Sequence, residues 1–129
     1  MLPGEIQHVP LDQYKANVSK LINFVRSPHS AYYSADTKII IITPTPIIES
    51  IGHELLKADR ATKGIPAEDV MPTRRTPVTK RYASACYDLA KKEGLPVVDM
   101  HTAIIEAAGG DGDEQLEPYF TYVWKPMPL

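Results

Sequence analysis

The chain has 129 residues, 43% of them hydrophobic and 23% charged, a size and mixture that suit one globular domain with a modest core and argue against general disorder. A formal net charge of −2 and a pI near 6.1 supply no long-range attraction for polyanions, so nucleic acid is not an expected partner. No apolar run is long enough to span a bilayer, and the first residues lack the basic start and apolar segment of a signal peptide, which predicts a cytoplasmic protein.

Residues 1–10 show no periodicity and read as an irregular entry. From Leu11 the pattern changes: Tyr14, Val18, Leu21, Ile22 and Val25 recur at helical spacing, with Lys15, Asn17, Lys20 and Asn23 between them. This predicts an amphipathic helix over Leu11–Arg26, stopped by Pro28. Residues 27–37 form a polar loop into Lys38-Ile39-Ile40-Ile41-Ile42-Thr43, around which the chain is organised. Four consecutive isoleucines leave no side for water, so the run predicts a central parallel strand buried on both faces. Pro44 and Pro46 cannot donate to a ladder and stop the strand near Thr43. The carboxyl end of such a strand faces the ligand crevice of an open α/β sheet.

Beyond Pro46, the spacing of Ile48, Ile51, Leu55 and Leu56 predicts a short helix ending before Gly64. Gly64–Pro77, proline-rich and carrying Arg74-Arg75, reads as a long surface loop: a lid, a specificity insert or a variable connection. Tyr82, Ala85, Cys86, Leu89 and Ala90 then define the apolar face of a helix over Thr79–Glu93, with Lys91 and Lys92 near its negative end and Gly94 as terminator. Leu95–Met100 is a second short buried strand, completing a βαβ unit whose crossover should be right-handed. Thr102–Ala108 is amphipathic and stops at Gly109-Gly110-Asp111-Gly112, and the stretch from Tyr119 to Leu129, with the only tryptophan, Trp124, has no clear period. The reading is therefore α/β with a short parallel sheet. Two strands with three or four helices do not make a free-standing sheet, so the chain reads as part of a domain.

Four stretches occur together in order: Gln7-His8-Val9-Pro10-Leu11-Asp12-Gln13-Tyr14-Lys15-Ala16-Asn17, the strand running into Thr43-Pro44-Thr45-Pro46, Arg75-Thr76 through Thr79-Lys80-Arg81-Tyr82-Ala83-Ser84-Ala85-Cys86, and Val97-Val98-Asp99-Met100. They resemble the isoamyl acetate-hydrolysing esterases, a branch of the SGNH or GDSL hydrolases, especially fungal members, over about residues 4–120. The resemblance implies a single domain, here incomplete, of three-layer α/β/α flavodoxin-like fold, acting in lipid metabolism on short acyl esters through a Ser-His-Asp triad. The family's nucleophile lies in Gly-Asp-Ser, its oxyanion donors include the glycine and asparagine of Gly-x-Asn-Asp, and its catalytic Asp and His lie in Asp-Gly-Leu-His. None of these motifs occurs in the 129 residues. After Glu117-Pro118-Tyr119-Phe120-Thr121, where Asp-Gly-Leu-His would follow, stands Tyr122-Val123-Trp124-Lys125, and residues 121–129 form a divergent tail. The expectation is a domain truncated at both ends, as a truncated product, an alternative transcript or a misread gene, with no catalytic residue transferred to this chain.

Thr43, Asp99 and His101 fall at strand ends and are the crevice candidates. Asp99 and His101, two apart on a strand, share a face, but a dyad needs a nucleophile about 3 Å from the ring, and none is evident. Cys86, on an apolar helix face, reads as a small hydrophobe, and Ser50 and Ser84 lack a nucleophile-elbow setting. Arg74-Arg75 with Lys80-Arg81 reads as a solvated helix entry rather than an anion site, and Gly109–Glu114 as a turn rather than a calcium loop. The histidines at 8, 29, 53 and 101 have no metal-ligand spacing, so neither metal nor cofactor is assigned. Three functions stay open: an ester hydrolase completed by other sequence and acting on a small acyl ester, a non-catalytic remnant that binds a second copy or an intact relative, and a small-molecule binding module.

Overall fold

The computed structural model describes residues 9–120, so His8, Trp124 and the divergent tail lie outside the described residues. The architecture is mixed α/β and mostly helical: α1 (Leu11–Arg26), β1 (Ile41–Ile42), α2 (Glu49–Ala61), a 3-10 turn at Ala67–Asp69, α3 (Thr76–Lys92), β2 (Val97–Val98), α4 (Met100–Ala108) and α5 (Asp113–Phe120). The described residues fall into two compact units, one of residues 9–43 and 84–98, the other of 44–83 and 99–120.

In the first unit α1 spans the residues its periodicity predicts, with Ile22 buried and Tyr14, Val18 and Val25 half-buried. Leu21 departs from the expectation and is 62% exposed, because it lies a full 100° around the helix from Ile22, at the edge of the apolar stripe. The carboxyl-terminal part of α3 presents Cys86 and Ala90, both buried. It ends at Gly94, whose φ of +65° lets the Leu95 N–H reach back 2.9 Å to the Ala90 carbonyl. Arg26 spans to the same corner, donating to the Glu93 carbonyl at 3.0 Å.

β1 and β2 pair in parallel, Ile41 opposite Val97 and Ile42 opposite Val98. The Ile41 N–H donates to the Pro96 carbonyl at 2.9 Å and the Thr43 N–H to the Val98 carbonyl at 3.0 Å. The expected central strand, buried on both faces, is corrected here. Ile39 and Ile41 are half-buried, whereas Ile40 and Ile42 are each 60% exposed. A strand turns alternate side chains to opposite faces, and only one face of this run is covered. Among the described residues β1 has β2 as its one strand partner.

In the second unit α2 forms where predicted, but none of its residues is fully buried. The loop expected over Gly64–Pro77 is shorter than predicted: it contains the 3-10 turn, and α3 already begins at Thr76. Pro77 sits in the first turn of α3, where its missing N–H costs nothing and its fixed φ suits the helix. α4 starts at Met100, not Thr102, and closes at Gly109, whose φ is +77°. The turn at Gly109–Gly112 leads into α5, which the sequence reading lacks. Leu116 of α5 is fully buried, and the Tyr119 hydroxyl donates to the Ala107 carbonyl of α4 at 2.7 Å. No helix among the described residues is long and apolar enough to cross a membrane.

Candidate functional site

Thr43 follows directly on β1, its N–H bonded to the Val98 carbonyl, but Asp99 and His101 do not occupy strand positions as expected. β2 ends at Val98, and Asp99 is the N-cap of α4, with Met100 and His101 in the helix's first turn. An Asp one residue before a helix accepts an N–H that has no intrahelical partner; here the Asp99 carboxylate accepts from the Thr102 N–H at 3.2 Å. His101 is buried, and its Nδ1 lies 3.2 Å from the Pro44 carbonyl, an acceptor that calls for a proton on Nδ1. In a hydrolytic triad a carboxylate holds that same Nδ1–H. A backbone carbonyl holds it here, so this contact orients the ring without giving it a counter-charge. Thr43 is fully buried and closes the first unit, whereas Asp99 and His101 open α4 in the second.

Sequence reading missed the more elaborate constellation, which joins the entries of α2, α3 and α5. The residue before α2 is Ile48, which has no side chain able to cap it. Asp113, the first residue of α5, supplies the cap from elsewhere in the chain: its two oxygens accept from the Glu49 and Ser50 N–H groups, each at 2.9 Å. Glu49 in turn accepts from the Thr76 N–H, the first amide of α3. Hydrogen bonding from the Ser50 side chain, then from the Ser50 and Glu49 backbone, holds the Asp113 carboxyl below the usual carboxylate range against the opposing effect of desolvation. The acidic turn over Gly109–Glu114 is thus a helix-capping device. The α3 entry, considered from sequence as an anion site beside Arg74 and Arg75, already carries the Glu49 carboxylate. The signal that could have located Asp113 is an acidic residue just after Gly112 and before Leu116. Pro118 obscures it by interrupting the apparent helix.

Elsewhere the titratable groups have structural surroundings. Tyr14 packs against Cys86, and burial first, then hydrogen bonding and electrostatic interaction with Cys86, push the Tyr14 phenol well above its ordinary value. His53 Nε2 lies 2.8 Å from the Val70 carbonyl. An open groove of about 740 Å³ runs along α1 and the following loop, walled by Phe24 and Tyr32, whose rings meet edge-on at 5.9 Å. Two of its serines are used by the loop itself: Ser27 Oγ accepts from the His29 N–H and Ser30 Oγ from the Tyr32 N–H. Among the described residues no three His, Cys, Asp or Glu side chains gather as a metal site would require.

A short parallel strand pair in a mostly helical α/β chain is compatible with part of an SGNH hydrolase fold, and sequence comparison points to the same group. The chain is 28% identical over 96 residues to the human isoamyl acetate-hydrolyzing esterase 1 homolog, covering 74% of this chain and 34% of that protein. It is 31% identical over 96 residues to the mouse isoamyl acetate-hydrolyzing esterase 1 homolog, covering 74% of this chain and 33% of that protein. A GDSL esterase/lipase of Arabidopsis thaliana is 31% identical over 94 residues, covering 73% of this chain and 34% of that protein. The likeness is therefore to GDSL-type esterases, and among them to isoamyl acetate-hydrolyzing esterase homologs. The chain spans about a third of the length of the curated relatives it matches. No family model matches it, and no solved structure does.

Proposed function

We propose that this chain is a stretch of a short-acyl ester hydrolase domain of the SGNH/GDSL type, and that taken alone it does not hydrolyse esters. The observation that carries the reading is the likeness to the isoamyl acetate-hydrolyzing esterase homologs over 96 residues. Ester hydrolysis needs a nucleophile, a base beside it and donors aimed at the developing oxyanion, and losing them removes the chemistry rather than slowing it. The resemblance puts those groups in motifs outside this sequence. The polar groups at the start of α4 have other work: Asp99 caps the helix and His101 Nδ1 serves the Pro44 carbonyl.

The test is acetate release from isoamyl acetate and from p-nitrophenyl acetate by the purified chain, with buffer as reference. The expected rate equals the buffer's. Saturable turnover, abolished by a serine-directed phosphonate, would overturn the second half of the proposal. Capture from source cells with an antibody against Arg74–Tyr82, followed by intact-mass measurement, addresses the first half. A mass well above 14.3 kDa makes the esterase testable on the whole protein, and a mass of 14.3 kDa leaves hydrolysis without a basis.

A second reading, a non-catalytic module that binds a second copy or an intact relative, is favoured by the exposure of Ile40, Ile42 and Val98 on the strand pair. A bare apolar sheet surface is a template for association. Sedimentation velocity across a concentration series is its measurement: a single monomeric species at every concentration removes this reading.

A further inference from the structure

The two carboxylates that cap α2 and α3 are connected in series. Asp113 holds the backbone N–H groups of Glu49 and Ser50, and Glu49's own side chain holds the N–H of Thr76. The bonds join residues 64, 63 and 27 positions apart, so they close long loops of chain. Glu49 is the shared member, tethered through its backbone and acting through its side chain. We propose that Asp113 and Glu49 form a carboxylate relay that couples the entry of α2 to the entry of α3, so that the two helix starts are latched and released together.

Two features make the relay decisive for α2. The helix has no fully buried residue, so core packing anchors it weakly compared with α5, which buries Leu116. Its N-cap position is Ile48, so without Asp113 the first amides have no side-chain acceptor. Movement of α2's first turn displaces the Glu49 backbone, and with it the carboxylate that caps Thr76. This inference concerns conformation and does not depend on whether the chain hydrolyses esters.

Native-state amide hydrogen exchange on the full 129-residue chain tests it, with Asp113→Ala, Glu49→Ala and the double variant, and with α1 amides as internal control. A helix cap is worth enough to change local opening about tenfold. In Asp113→Ala the Glu49–Gly52 amides should therefore exchange about tenfold faster, and Thr76, which Asp113 does not touch, should accelerate with them. The double variant should be no faster at Thr76 than Glu49→Ala alone, since both changes break one chain of contacts. An unchanged Thr76 amide in Asp113→Ala, additive effects in the double variant, or equal acceleration of the α1 amides would each overturn the relay. Should the variants fail to fold, the unmodified chain decides. Glu49, Ser50 and Thr76 should then open with one free energy and one denaturant dependence, and separate openings reject the coupling.

Discussion

Ile22 and Leu21 are neighbours in sequence and both aliphatic, yet one is buried and the other 62% exposed. Removing buried methylenes forfeits transfer energy and leaves a cavity, so Ile22→Ala should cost about 2–4 kcal/mol in urea unfolding. Leu21→Ala should change stability by less than about 0.5 kcal/mol. Tyr14 gives a prediction in pH. Its folded-state pKa is raised, so above the ordinary phenol pKa the unfolded chain loses a proton that the native chain keeps. Stability contributed by the neutral phenol is therefore complete below about pH 10 and declines as pH rises beyond it. An alkaline titration of stability should show this step in the natural chain and lack it in Tyr14→Phe. His101, expected from sequence at a strand end, lies instead in the first turn of α4, and its contact with the Pro44 carbonyl joins positions 57 apart, which no local pattern encodes.

Helix ends show how local and distant signals divide. The stops at Gly94 and Gly109 are written locally, because only glycine takes a positive φ without strain, and both are found at φ of +65° and +77°. Gly94→Ala should cost about 1 kcal/mol, read as a lowered denaturation midpoint. The starts of α2 and α3 are different, since their capping carboxylates come from other elements. Asp113→Ala should cost about 1 kcal/mol at neutral pH. Because the folded pKa of Asp113 lies below its unfolded value, that stabilisation is present above the unfolded pKa and fades as pH falls through the folded one. The natural chain and Asp113→Ala should therefore converge in stability under acid, and a gap that stays constant with pH would contradict this account. The same distinction explains why α1 was legible to the residue while α3 was placed three residues late: Pro77 resembles a loop signal until its place in the first turn is known.

For the whole molecule, the feature with consequences is the strand pair. Isoleucines at 40 and 42 face solvent, and with Val98 they leave a surface of the kind that associates. Ile42→Lys places a charge on that surface without touching a buried site. If the proposed self-association uses this surface, the variant should leave the far-UV circular dichroism spectrum unchanged and remove the concentration dependence in sedimentation. Association that persists unchanged in Ile42→Lys would locate the contact elsewhere.

The sequence by itself determined the class, α/β with a short parallel sheet, the extent of α1, the existence of α2 to α4, and the likeness to the isoamyl acetate-hydrolysing esterases. Those properties rest on periodicity, glycine and proline placement and aligned segments, all of which are local along the chain. Only the tertiary structure decided that the isoleucine run is covered on one face, that Asp99 is a helix cap, that the residues after Gly112 make a helix, and that Asp113 and Glu49 link three helix entries. Burial and hydrogen bonding between residues dozens of positions apart depend on which surfaces meet, and a one-dimensional pattern states which side chains want a partner without saying where the partner comes from.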